Sequence, residues 1–266
     1  MTSRVLFLHA HPDDETLATG ALILDLIARG VEVAVVTATR GEQGELTDPA
    51  LAGDLVALRE RELAAALAVL GVGEHAFLGT PPARATGLPP RRYTDSGMAW
   101  VTPELAGPGP AAGPDSLTAA SVEQAAADLA GYARWFGADV LVSYDEFGGY
   151  GHPDHVACHH IARAAARLAG IGFAEVVSGA EQPSLDQYRP RVAEALRCYR
   201  SQLRIEADEV VHVGGQRHPI PTVAAIAGAW SERSTSPAPP TPTAEVRRRD
   251  SDEVSSPRAN REERHE

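Results

Sequence analysis

Residues 4–15 read Arg-Val-Leu-Phe-Leu-His-Ala-His-Pro-Asp-Asp-Glu. Val5 to Leu8 form an apolar run long enough for one buried strand. The run gives way to His9, His11, Asp13, Asp14 and Glu15, and a helical pattern follows from about Thr16 to Arg29. Ligand-type side chains therefore gather where a strand hands over to a helix. In an open α/β sheet this carboxyl edge is where ligands bind. Imidazole beside carboxylate suits Zn²⁺ or a similar divalent ion. Adjacent carboxylates diverge, so one of Asp13 and Asp14 can ligate while the other moves protons. A catalytic zinc takes about three protein ligands and keeps a position for water. This segment supplies two, so a third must come from elsewhere.

Gly148-Gly149-Tyr150-Gly151-His152-Pro153-Asp154-His155 offers it. A strand-like run, Asp139 to Ser143, precedes this segment, and a helical pattern from about Pro153 to Leu168 follows. The chain thus repeats one architecture: strand, His-Pro-Asp turn, helix. A single copy also suits simple helix capping, with Asp as the cap and Pro as the first helical residue. Two copies at two strand-to-helix junctions favour a shared site. His159 stands four residues after His155, but one turn farther from the strand ends, and a structural role is expected for it.

The remaining pattern predicts an α/β protein with a Rossmann-like open, mostly parallel sheet and helices on both faces. Gly30 closes the first helix. Val31 to Thr39 reads as a strand buried on both faces. The glycine-rich turn Arg40 to Glu45 follows it; Glu45 either faces the same crevice as the His-Asp cluster or belongs to an ordinary loop. Leu55 to Leu70 is a strong helix, in which Arg59 and Glu62 can form a surface ion pair or Arg59 can reach a substrate. His75 to Leu78 is the third strand. Residues 80–116 are Pro- and Gly-rich without periodicity, as expected of a functional or mobile connection. Further helices are predicted over Leu117 to Phe136 and Tyr188 to Gln202, and strands over Phe173 to Ser178 and Ile205 to Val213. Residues 231–266 are rich in Ser, Thr, Pro, Arg and Glu and are predicted to be a disordered tail, leaving residues 1–230 as one domain.

Composition narrows the function. The formal net charge of −12 argues against a nucleic-acid or anionic-membrane surface. No stretch reaches the apolar length of a membrane span, and the opening strand leaves no room for a signal-peptide core. With two cysteines only, Cys158 and Cys198, a disulfide scaffold is not expected and a cytoplasmic location fits. All 24 Lys-plus-Arg residues are arginine, which removes lysine Schiff-base and P-loop chemistry. No Gly-x-Gly-x-x-Gly follows the first strand, where a dinucleotide-binding oxidoreductase needs it.

His11-Pro12-Asp13-Asp14-Glu15 together with His152-Pro153-Asp154-His155 resembles the PIG-L/LmbE-like zinc de-N-acetylases, over roughly residues 4–215. Within that family the chain is most similar to the branch that releases acetate from N-acetylglucosaminyl-inositol in mycothiol biosynthesis. The resemblance implies one Zn²⁺ on His11, Asp14 and His155, a set that Fe²⁺ could also occupy. It implies Asp13 as general base, Tyr150 and His152 as stabilisers of the oxyanion, and Asp154 as the partner that orients His152. It further implies sugar contacts from Glu45, Arg59, Asp95 and Met98, the last two in Tyr93-Thr94-Asp95-Ser96-Gly97-Met98. The expected partner is a small amino-sugar substrate; no oligomeric state follows. Rival readings are an amidase of mycothiol S-conjugates, a deacetylase of another N-acetyl amino sugar, and a non-catalytic sugar-binding module. No expected catalytic residue is missing, which disfavours the last. The chain departs from that branch after about residue 215, where His218 to Trp230 and the tail replace a longer segment that helps close the pocket.

Overall fold

The computed structural model describes residues 3–51, 53–102, 105–177, 184–222 and 225–228. In chain order the elements are β1 (Arg4–His9), α1 (Asp14–Ala28), β2 (Glu32–Thr37), α2 (Leu55–Leu70), β3 (Glu74–Phe77), β4 (Ala99–Thr102), β5 (Leu105–Gly107), α3 (Val122–Phe136), β6 (Val140–Tyr144), the short turn α4 (Gly148–Gly151), α5 (Pro153–Ala169), β7 (Gly172–Val177), α6 (Arg189–Leu196), β8 (Leu203–Glu206), β9 (Glu209–His212), β10 (Arg217–Pro219) and β11 (Ala225–Gly228).

Six strands form one sheet in the order β11-β7-β6-β1-β2-β3. All its pairings are parallel except that of β11 with β7 at the edge. The strands alternate side chains between two covered faces. Val5 and Phe7 pack with Ile23 and Leu26 of α1, Leu63 and Leu67 of α2, and Val192 and Leu196 of α6. Leu6 and Leu8 pack with Leu129 and Tyr132 of α3 and Ile161 and Ala165 of α5. Each such buried side chain contributes about 1.5–3 kcal/mol relative to exposure, so a one-residue register slip would exchange both faces.

The sheet order places the two His-Pro-Asp turns together. β1 and β6 are direct neighbours, with Val5, Leu6 and Phe7 opposite Val140, Leu141 and Val142. From β1 the chain moves outward through β2 to β3, then returns to β6 on the other side of β1. Such a reversal opens a crevice at the carboxyl edge, and both turns leave their strands there.

Several predicted elements change shape in detail. The helix expected from Leu117 begins at Val122, because Ser121 caps it by accepting from the Gln124 amide at 3.3 Å. The helix expected to run to Gln202 ends at Leu196. The strand expected over Ile205 to Val213 is a hairpin of β8 and β9. One buried carboxylate ties residues 84–93 to the body. Asp128 of α3 accepts from Arg84 Nη1 at 2.7 Å, the Ala85 amide at 2.8 Å and the Tyr93 hydroxyl at 2.8 Å. The predicted tail, 231–266, lies outside the described residues.

Candidate metal centre

The first turn is built around an unusual backbone. Asp13 has φ 120° and ψ −29°, a region that a residue with a Cβ seldom enters. Its carbonyl accepts from the Thr16 and Leu17 amides at 3.0 and 2.9 Å, which starts α1. Asp14 opens that helix, where a carboxylate meets the positive end of the helix dipole. Its Oδ2 accepts from the His11 amide at 2.9 Å and lies 3.1 Å from His11 Nδ1.

The second turn follows ordinary helix-capping rules. His152 is the N-cap of α5, with Nδ1 accepting from the Asp154 amide at 3.2 Å. Pro153 occupies the first helical position, where its missing N–H is not needed. Asp154 is fully buried; its Oδ2 accepts from the Ser96 amide at 2.9 Å and lies 3.1 Å from His11 Nε2. His155 Nδ1 is 3.2 Å from the Gly148 carbonyl, and its Nε2 is 3.3 Å from Asp14 Oδ2. Gly148 is required here: its φ is +65°, and a Cβ would stand 2.8 Å from the Val156 amide nitrogen.

These contacts assign the ring protons. His11 Nε2 faces the Asp154 carboxylate and His155 Nδ1 faces a carbonyl oxygen, so both outer nitrogens donate. His11 Nδ1 and His155 Nε2 are thus the nitrogens left to a metal, as in metal-bound histidines; without one, the raised His11 ring also donates from Nδ1 to Asp14 Oδ2 at 3.1 Å. His152 is the reverse. Its Nδ1 accepts, so the neutral ring carries its proton on Nε2. The nitrogens of His11, His152 and His155 come within 4.8 Å of one another, as do ligand atoms of His11, Asp95 and Asp154. By these hydrogen bonds His152 enters the first group as a donor, while Asp95 and Asp154 approach His11 from its outer nitrogen.

The residues fit a zinc ion. His155 Nε2 is buried without a well-formed hydrogen bond. Ligands about 2.0–2.2 Å from a tetrahedral ion lie roughly 3.3–3.5 Å apart, and Asp14 Oδ2 stands 3.1 and 3.3 Å from the two inward nitrogens. The cluster also attracts positive charge. Burial alone would lower His11, but hydrogen bonds to Asp14, Asp154 and Asp95 raise it well above the ordinary histidine range. Burial opposes ionisation of Asp14, yet His155 and His11 hold it well below the usual carboxylate range. Burial, then the charges of Asp14 and Glu15, push Asp13 well up. Burial, with His11 and His155 nearby, lowers His152 to about 4.

Other predicted site residues fall in different places. Asp154 was expected to orient His152; its carboxylate instead meets His11, and only its amide touches His152. Arg59 is neither a surface ion pair nor open to a ligand. It is 1% exposed and donates to the carbonyls of Gly41 and Glu45, while Glu62 accepts from Ser201. Burial is why: Arg59 lies beneath the loop, and a Cβ on Gly44 would collide with its Nη1. Glu45 is exposed, and the loop reaches the cluster through its neighbours. Glu42 Oε2 accepts from the Asp95 amide at 2.9 Å, and the Gln43 amide donates to Asp95 Oδ2 at 3.1 Å. Asp95 is 5% exposed and its Oδ1 accepts from the Gly97 amide at 2.7 Å, 3.6 Å from His11 Nε2. Its carboxylate is thus engaged by the chain itself. Met98 and Tyr150 are exposed, and the Tyr150 ring stands edge-on to His155, centroids 5.1 Å apart.

Two contributors were not singled out from the sequence. Tyr144, the last residue of β6, stacks on His155 with centroids 4.1 Å apart and accepts from the Ala10 amide at 3.0 Å. The segment 199–202 touches the first turn through Tyr199 and Gln202. Tyr144 lies one residue past the predicted end of its strand at Ser143; the other contact spans most of the chain and leaves no local signal.

An open, mostly parallel sheet with this His-Asp cluster at its switch point defines a class, and comparison gives it a name. Residues 6–166 match the family model PIG-L, GlcNAc-PI de-N-acetylase, and the chain belongs to that family. Among curated relatives, the 1D-myo-inositol 2-acetamido-2-deoxy-alpha-D-glucopyranoside deacetylase of Kineococcus radiotolerans is 40% identical over 230 residues, 83% of this chain and 60% of the relative. The protein of the same name from Kribbella flavida is 44% identical over 173 residues, 62% of this chain and 54% of the relative. The chain therefore aligns with somewhat over half the length of these relatives. Solved structures share the fold. The N,N'-diacetylchitobiose deacetylase of Pyrococcus horikoshii superposes with TM-score 0.55 at 21% identity, covering 77% of this chain and 72% of that one. The zinc-inhibited form of teicoplanin deacetylase Orf2 gives TM-score 0.51 at 22% identity, covering 74% and 84%.

Proposed function

We propose that residues 1–230 form a zinc-dependent hydrolase that removes the N-acetyl group from N-acetylglucosaminyl-inositol in mycothiol biosynthesis. The observation that supports this best is the opposed hydrogen bonding of the three histidines: His11 and His155 use their outer nitrogens toward oxygen acceptors and leave the inner ones to a metal, while His152 accepts through Nδ1 and keeps a proton on Nε2. The names of the relatives at 40% and 44% identity point to the same substrate.

His11, Asp14 and His155 would hold the ion. Bound there, zinc would supply a Lewis acid toward the amide carbonyl and a water acidified to a pKa of about 7. Asp13, half-buried beside these ligands, takes the proton of the attacking water and returns it to the departing amine. His152, neutral at pH 7 with its proton on Nε2, donates to the developing oxyanion; such a donor contributes on the order of 10²–10³ in rate. Tyr150, on the rim of the same cluster, is the second donor available to the oxyanion. Asp154 fixes His11 rather than His152. Fe²⁺ suits the same ligands. The setting is a reducing cytoplasm, which agrees with the unpaired Cys158 and Cys198. Among the described residues no helix is long and apolar enough to cross a membrane.

The test is acetate release from N-acetylglucosaminyl-inositol by zinc-loaded protein, with plain N-acetylglucosamine as comparison. Strong preference for the inositol conjugate is expected. Preference for another N-acetyl amino sugar would move the substrate but keep the chemistry. Folded, metal-bound protein that cleaves neither substrate overturns the assignment.

A further inference from the structure

Asp13 holds a backbone conformation that L side chains rarely adopt, φ 120° with ψ −29°, and the structure supplies a cause on each side of its Cα. Its carbonyl is committed to the first turn of α1 by the Thr16 and Leu17 amides. The preceding peptide unit is pinned at both polar ends. The Pro12 carbonyl accepts from Gln202 Nε2 at 2.6 Å, and the Asp13 amide donates to Glu15 Oε2 at 3.2 Å. Glu15 is fully buried, and its other oxygen accepts from the Tyr199 and Thr16 hydroxyls. With the peptide on one side and the carbonyl on the other both fixed, φ of Asp13 has no freedom left.

The segment carrying Tyr199 and Gln202 is itself anchored. The Ser201 amide and hydroxyl donate to Glu62 of α2, and the Ser201 carbonyl accepts from the Thr47 amide at 2.9 Å. Tyr199 is fully buried. Residues some 185 positions along the chain (184 for Tyr199 and Glu15) thus bear on the peptide next to Asp13. Strained backbone of this kind persists only where its surroundings over-determine it, and it concentrates at functional sites.

We propose that Tyr199 and Gln202 are positioning residues: they lock the Pro12–Asp13 peptide and thereby aim the Asp13 carboxyl at the reacting centre. They act through Glu15 and Pro12. The inference rests on Asp13 being the proton carrier, and its test separates the two readings. Tyr199→Phe and Gln202→Ala are compared with wild type in zinc-loaded protein. Each is expected to lower kcat about tenfold or more, since small misplacement of a reacting group is costly. KM is expected to stay within about twofold and zinc content unchanged, a split that general destabilisation would not give. In an Asp13→Asn background neither change should lower the residual rate further.

A second arm needs no activity. Asp13→Gly should melt higher than Asp13→Ala, on the order of 2–4 °C, because only glycine accepts φ 120° without strain. That gap should shrink when Tyr199→Phe and Gln202→Ala release the turn. A gap that is the same with and without the anchors overturns the inference, as does a loss of kcat that persists in Asp13→Asn. If wild type releases no acetate, the deacetylase reading fails, and the melting comparison still decides whether the anchors hold Asp13.

Discussion

The two turns His11-Pro12-Asp13-Asp14 and His152-Pro153-Asp154-His155 share three letters and almost nothing else. In the second, the helix begins at Pro153, His152 caps it, and Asp154 sits inside the first turn, buried against His11. In the first, the helix begins two residues after Pro12, and Asp13 is left outside it in a left-handed conformation. One aspartate is therefore half-buried outside its helix, and the other is an internal acceptor. The histidines diverge in the same way. His11 is drawn up by three carboxylates, while burial and two neighbouring imidazoles push His152 down to about 4. Equal sequence gives unequal chemistry because the helix starts in a different phase.

The contrast is sharpest at the aspartates, where the largest effects are expected. Asp13→Ala should remove general-base catalysis, on the order of 10²–10⁴ in kcat, with metal content retained. Asp154→Ala should weaken metal binding by 10–100-fold, because His11 loses the acceptor that fixes its tautomer. Metal titration alongside turnover separates them. Metal lost with Asp13 and kept with Asp154 would break the comparison.

Next in size is the titration of the two histidines in metal-free protein. His152 has a lowered pKa, so its neutral form contributes stability above pH 6.5 that is lost as pH falls toward about 4. His11 has a raised pKa, so its charged form contributes stability below pH 6.5 that is lost as pH rises through its folded pKa. Ring-proton NMR should find the two titrating on opposite sides of 6.5. If both titrate near 6.5, the electrostatic half of the contrast is wrong.

The smallest effect concerns the helix start itself. Pro153→Ala keeps the helical position and should cost about 0.4–1 kcal/mol in urea unfolding, through the unfolded chain, with turnover intact. A larger loss would mean that the second turn depends on more than ordinary capping.

Much of this was legible locally. The apolar run Val5 to Leu8, the Val-rich strand after Gly30 and the helix Leu55–Leu70 follow from short-range pattern, and the sheet came out as predicted. Ligand-type residues at two strand ends stood out in the sequence, but which of Asp13 and Asp14 would ligate came only from the family resemblance. Arg59 could not be read. An arginine three residues before a glutamate signals a surface pair, and only the overlying Gly41–Glu45 loop makes it a buried brace. Asp154 misled for the same reason: its partner lies 143 positions away in the chain, and its neighbour in sequence was the tempting choice.

What the sequence determined alone was the alternation of strands and helices and the chemical types at two strand ends, since hydrophobic period and turn composition act over a few residues. What the tertiary structure decided was which nitrogen of each histidine faces inward, which aspartate is an internal acceptor, and how Tyr199 and Gln202 reach Pro12 and Glu15. These depend on the pairing of β1 with β6 and on contacts between distant segments. A hydrogen bond forms where the fold brings two groups within about 3 Å, and no spacing along the chain encodes that distance.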